Sequence, residues 1–189
     1  MSDKRVATPG TTATPFLTDV KTLRARARQH IEAGAVTSNY GADAKLVCQV
    51  LNDALATEIV CVLRYKRHYY MAQGIASDSV KAEFLAHAGE EQQHADEIAN
   101  RIVQLGGEPN LDPEGLAMRA HSQYVEGNTL RDMIRENLVA ERVAIESYRE
   151  IIDWLKDKDS TTRKMLEGIL AVEEEHAEDM ASLLAGLKD

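Results

Sequence analysis

Cysteine and proline are scarce in this chain, and aromatic residues make up only 5% of it: 189 residues include two Cys and four Pro. Two cysteines cannot supply the disulfide framework of a small secreted fold. Cys48 and Cys61 fall thirteen positions apart on one expected helix. At ~1.5 Å of rise per residue that is about 20 Å, far beyond disulfide reach. They are expected to be reduced core residues, which suits a cytoplasmic protein, and they cannot share one metal site from that helix. No apolar run approaches the ~18–20 residues of a membrane span, so no membrane partner is expected. Residues 1–15 lack the apolar stretch of a signal peptide. With Gly also sparse, and Ala, Leu, Glu and Arg abundant, the composition favours helix over sheet.

The formal charge is −9, unevenly spread. Residues 1–35 carry Lys4, Arg5, Lys21, Arg24, Arg26 and Arg28 against Asp3, Asp19 and Glu32, a local balance of +3 that leaves −12 for the remainder. An acidic body disfavours nucleic acid as the main ligand and suits cations. DNA remains the weaker partner reading, carried by the basic N-terminal segment alone.

Residues 1–16 are rich in Thr and Pro and read as a flexible arm. Residues 17–41 read as a short helix and linker. Its cap is Thr18-Asp19, its end is near Ala33 before Gly34, and its apolar edge is Val20, Leu23, Ala27 and Ile31. That edge is expected to pack on the body or on a neighbouring subunit. Residues 42–189 read as the main domain, with four long helices at about 42–72, 77–105, 129–156 and 160–185. The first and second helices, and the third and fourth, are joined by short links and form antiparallel hairpins. A long crossover, about residues 106–128, connects the hairpins and carries a short helix near Leu116–Tyr124. The fold class is all-α: a four-helix bundle of two antiparallel hairpins with a long crossover, plus the short N-terminal helix.

One pattern occurs twice in this frame. A Glu is followed seven residues later by a Tyr, and about one helix further on by Glu-x-x-His. The first copy is Glu58, Tyr65, Glu91 and His94; the second is Glu141, Tyr148, Glu173 and His176. The step from Glu to Glu is 33 residues in one and 32 in the other. Each Glu sits on an apolar stripe where Leu or Ile belongs. On the second helix the stripe runs Val80, Phe84, His87, Glu91, His94, Ile98. An unpaired buried carboxylate costs several kcal/mol, against a domain stability of only ~5–15 kcal/mol. No Lys or Arg shares the stripes. Two divalent cations would balance four carboxylates, and residues i and i+3 of a helix point the same way, so Glu-x-x-His can grip an ion.

A single Glu-x-x-His arises by chance on acidic helices, and Glu90-Glu91 or Glu173-Glu174-Glu175 alone would be solvated charge runs. The duplication and the stripe placement favour metal binding. Tyr65 and Tyr148 read first as core aromatics, with Tyr65 the better candidate for a redox role. His87 reads first as a satisfied core histidine and second as a group beside the site. His68, in the run Arg64-Tyr65-Lys66-Arg67-His68, is expected to face outward.

Over about residues 43–187 the chain resembles the bacterioferritin branch of the ferritin-like superfamily. The segments that carry the likeness read LNDALATEIVCVLRYKRHY, EEQQHADEIANRI, NLVAERVAIESY and EEEHAEDM. The resemblance maps the di-iron ligands onto Glu58, Glu91, His94, Glu141, Glu173 and His176, with Glu91 and Glu173 bridging two Fe ions per subunit, and a site tyrosine onto Tyr65. It implies a ferroxidase that oxidises Fe(II) with O2 or H2O2 and stores Fe(III) inside an oligomeric shell. Two departures stand out. The family's haem-ligating Met is replaced by Gln92, so no haem is expected. Only thirteen residues follow His176, too few for a fifth helix, which resembles Dps-like proteins and implies a dodecamer. The His and Asp-x-x-x-Glu set of ordinary Dps proteins is absent. Ala144 stands where rubrerythrins place an extra Glu. The rival readings are a di-iron or di-manganese peroxidase or catalase on the same bundle, and a DNA-protecting shell.

Overall fold

A computed structural model describes residues 18–74 and 77–187. The expected arm at residues 1–16 lies outside them. Seven helical elements follow in order, and among the described residues there is no strand. They are α1 (Val20–Arg26), a single 3-10 turn (Ile31–Ala33), α2 (Ala44–Met71), α3 (Ser77–Gln104), α4 (Leu116–Arg119), α5 (Leu130–Leu155) and α6 (Ser160–Gly186). Helices α2 and α3 pack as one hairpin and α5 and α6 as the other, with α2 against α5 and α3 against α6 across the bundle.

The boundaries follow local chemistry. Asp43 caps α2 by accepting from the Lys45 and Leu46 amides, and Asp159 caps α6 through the Thr162 amide. Thr129 and Asp132 cap α5 reciprocally, a capping box that satisfies two amides at once. After α3 the chain turns through Gly106, at φ 79. At Gly107 a Cβ would stand 2.6 Å from Cys48 Sγ, so any larger residue would force Cys48 or this backbone to shift. Arg101 and Asp159 form a buried pair at 3.0 Å joining the ends of α3 and α6. Arg101 Nε also donates to Thr162 Oγ1, and Tyr40 donates to Asp159, which ties in the linker before α2.

The apolar core is divided in two. One cluster gathers Leu51, Leu55, Ile98, Ile102, Leu155, Leu166 and Ile169. The other gathers Phe84, Val80, Met133, Ile134 and Met180. On every long helix the Glu of the repeat falls between the residues of one cluster and those of the other. The polar layer therefore cuts across the bundle's middle.

Three expectations need correction. The N-terminal helix is shorter than its pattern, because His30 adopts a left-handed φ of 50 and leaves only the 3-10 turn before Gly34. Val20, Leu23 and Ile31 are exposed and do not pack on the body. Helix α2 is long and apolar enough to cross a membrane by length and composition alone, although 61% of its most apolar window is buried inside the bundle. His68 is fully buried, with Nδ1 3.1 Å from Asn137 Oδ1 and Nε2 3.1 Å from the Val125 carbonyl. Arg64 is buried beside it and donates to Asn137 Oδ1 and the Gln123 carbonyl. A cation does therefore enter the interior. The burial of Arg64 and of His68 has one cause: the crossover lies along α2 and covers a face that helical periodicity alone leaves to solvent.

Candidate metal centre

All six repeat ligands converge. Glu58 comes from α2, Glu91 and His94 from α3, Glu141 from α5, and Glu173 and His176 from α6. None is more than 6% exposed. Their ligand atoms form two quartets: Glu58, Glu91, His94 and Glu173 in one, and Glu91, Glu141, Glu173 and His176 in the other. Glu91 and Glu173 belong to both. His94 Nδ1 stands 2.9 Å from Glu173, 3.4 Å from Glu91 and 3.5 Å from Glu58. His176 Nδ1 stands 3.6 Å from Glu91, 3.8 Å from Glu173 and 4.0 Å from Glu141.

The fit to cations rests on what these atoms lack. Buried polar atoms are almost always hydrogen-bonded. Among the described residues, the buried side-chain atoms without a partner include Glu58 Oε2, both oxygens of Glu91, His94 Nδ1, Glu141 Oε2, both oxygens of Glu173 and His176 Nδ1. Eight of the ten such atoms belong to the six; the other two are Arg119 Nε and Asn137 Nδ2. The eight are hard oxygen and imidazole donors, the set that suits a divalent first-row metal.

The tyrosines explain the seven-residue step. Tyr65 of α2 donates to Glu141 of α5, and Tyr148 of α5 donates to Glu58 of α2. Each phenol crosses the bundle to fix the other half's carboxylate by one oxygen and leaves the second oxygen free. This approximate two-fold relation breaks on one side. Glu90 accepts from His176 Nε2 at 2.8 Å, and His87 stacks on the His176 ring with centroids 3.9 Å apart. His87 Nδ1 also lies 3.1 Å from the Tyr65 hydroxyl. In the other half the corresponding positions are Val172 and Ile169.

Without cations the cluster holds protons in their place. Burial, then the charges of Glu91 and Glu173, push Glu58 and Glu141 well above the ordinary carboxylate range. Burial would push Glu91 up too, but the neighbouring His176 and His94 imidazoles pull it below that range. Burial opposes charge on His94, yet the surrounding carboxylates raise it to about 12. His176 reaches about 11 in the same way. Burial and the neighbouring His176 charge pull His87 down to about 4. Cations bound there would compete with these protons for the same atoms.

Sequence reasoning missed Glu90 and Asp179. Glu90 was hidden in an acidic pair, and Asp179 follows His176 by three residues on the same helix, a spacing that could have placed it. Gln92, at the position where the resemblance puts a haem-ligating Met, faces solvent and donates to Asp96.

A hairpin-paired bundle with carboxylates from all four long helices and imidazoles from two of them, in two overlapping quartets, is of the helical class whose interior could hold metal ions. A ferritin-like domain model matches residues 48–189. The chain belongs to the ferritin-like family, an iron-storage family that includes bacterioferritins and Dps proteins. It is 32% identical over 142 residues to the nutrient stress-induced DNA-binding protein of Synechococcus, covering 74% of this chain and 81% of that one. It is 30% identical over 139 residues to the bacterioferritin of Mycobacterium bovis, covering 73% and 83%. Among solved structures it resembles a dodecameric thioferritin, the bacterioferritin-related protein of Bacteroides fragilis. That match has 35% identity and a TM-score of 0.74, and it covers 77% of this chain and 88% of that one.

Proposed function

We propose that the protein is a ferroxidase and iron-sequestering subunit. Residues 42–189 form its di-iron domain, and residues 1–41 are an appendage to it. The supporting observation is the set of unpartnered buried atoms on the six ligands, grouped into two quartets that share Glu91 and Glu173. Two ferrous ions are the substrate, and once bound they supply electrons to O2 or H2O2. The chain's own residues do the rest. Glu91 and Glu173, which belong to both quartets, would hold the two ions as a pair. Glu58 with His94, and Glu141 with His176, complete one end each. Tyr148 and Tyr65 orient the outer carboxylates, and Glu90 fixes the His176 ring. Such outer hydrogen bonds set ligand direction and basicity. Tyr65, which donates to Glu141, would be the residue to pass a further electron to the pair.

The test is aerobic addition of Fe(II) with ferric absorbance followed in time. Glu91→Ala with Glu173→Ala removes both bridges and should lower the rate by about 100-fold or more. Unchanged rates would overturn the assignment.

A second reading has an observation of its own. The Synechococcus relative is named a DNA-binding protein, and residues 1–35 carry a +3 balance. Several basic arms on one assembly could grip DNA together. A gel shift that weakens with salt and disappears when residues 1–35 are deleted would support it.

A further inference from the structure

His87 is 2% exposed, and the six-ligand cluster does not use it. Its Nδ1 lies 3.1 Å from the Tyr65 oxygen, whose own proton is committed to the Glu141 carboxylate. Tyr65 thus occupies Nδ1, and Nε2 is the ring nitrogen left for another partner. Nε2 has two carboxylate oxygens nearby, Asp179 Oδ2 at 3.6 Å and Glu83 Oε1 at 4.0 Å. Both distances are too long for hydrogen bonds. They suit two ligands of one ion: donor atoms at ~2.0–2.2 Å from a tetrahedral metal stand roughly 3.4 Å apart, and further apart in more open shells. The three ligand atoms all lie within 4.8 Å of one another. The bundle does not need this trio, because Ile169 fills the corresponding place in the other half and belongs to the apolar core.

We propose that Glu83, His87 and Asp179 form a third divalent-cation site, outside the dinuclear pair and one imidazole ring away from it. An imidazole with two carboxylates suits a first-row ion such as Zn2+, Mn2+ or Fe2+. The Glu83 and Asp179 side chains are 40% and 50% exposed, so water completes the shell and the ion exchanges with solvent. The cation would join the two carboxylates and the imidazole into one coordinated group. The site stands whether or not the pair oxidises iron.

The experiment uses the full-length protein and Zn2+. Crystals soaked in zinc in excess of all sites are examined by anomalous scattering at the zinc edge, and zinc per subunit is measured after equilibrium dialysis. The expected result is a peak bonded to His87 Nε2 in addition to the two of the dinuclear pair. Glu83→Gln with Asp179→Asn should remove that peak, lower the bound zinc by one ion per subunit, and leave the pair filled. A filled pair with His87 paired directly to Asp179 and no ion between them would overturn the third site alone. An unchanged zinc count in the double variant would do the same. An empty pair would overturn the reading of the six ligands instead.

Discussion

Six side chains are placed by a single local rule, and the same rule shows where sequence reading stops. Glu58, Glu91, His94, Glu141, Glu173 and His176 were readable because each interrupts an apolar stripe of helical period, and a polar group there must face the interior. Which partner each would meet was not readable. The crossed contacts Tyr65 to Glu141 and Tyr148 to Glu58 depend on how α2 packs against α5. Glu90 was obscured because its neighbour Glu91 is also acidic, and only the fold separates the exposed member of that pair from the buried one. The two phenols make a prediction. Both orient a carboxylate, but only Tyr65 also contacts His87, which stacks on His176. Tyr65→Phe should therefore slow ferric product formation by about tenfold while the pair still binds two irons under anaerobic titration. A loss of bound iron would mean that Tyr65 serves only to hold Glu141.

Helix lengths, caps and the hairpin pairing were close to their sequence signals, because Asp43, Thr129, Asp159 and Gly106 act within a turn of their own positions. The exceptions arise where distant chain meets a helix. Arg64 and His68 look like part of a solvated basic run until the crossover covers them, and their partners lie 57 to 73 residues away. Arg101 and Asp159 are another long-range tie. Hydrogen bonds from Thr162, Tyr40 and Arg101 outweigh burial and hold Asp159 below the ordinary carboxylate range. A carboxyl depressed in the fold adds stability above its unfolded pKa of ~3.9 and loses it as pH falls through the folded value. Asp159→Asn should thus cost about 2–3 kcal/mol near neutral pH. The gap to the natural chain should narrow below about pH 4 in denaturant titrations. A gap independent of pH would remove the ion pair from the account.

Val20, Leu23 and Ile31 remain exposed on one short N-terminal segment, at 60%, 46% and 74%. The similar Bacteroides fragilis protein is dodecameric. Light scattering should accordingly give twelve subunits of 20.9 kDa each; twenty-four, or a monomer, would contradict the shell proposed here. The acidic remainder of the chain, at −12 outside residues 1–35, draws cations toward whatever assembly forms.

X-ray absorption at the iron edge, on protein loaded with two Fe(II) per subunit without oxygen, reads the interior directly. Carboxylates and imidazoles that converge in the bundle's middle should give an oxygen-rich shell with about one nitrogen per iron, together with a resolved iron–iron vector. Iron surrounded by water alone, with no second iron in range, would mean that those six side chains do not hold a metal pair.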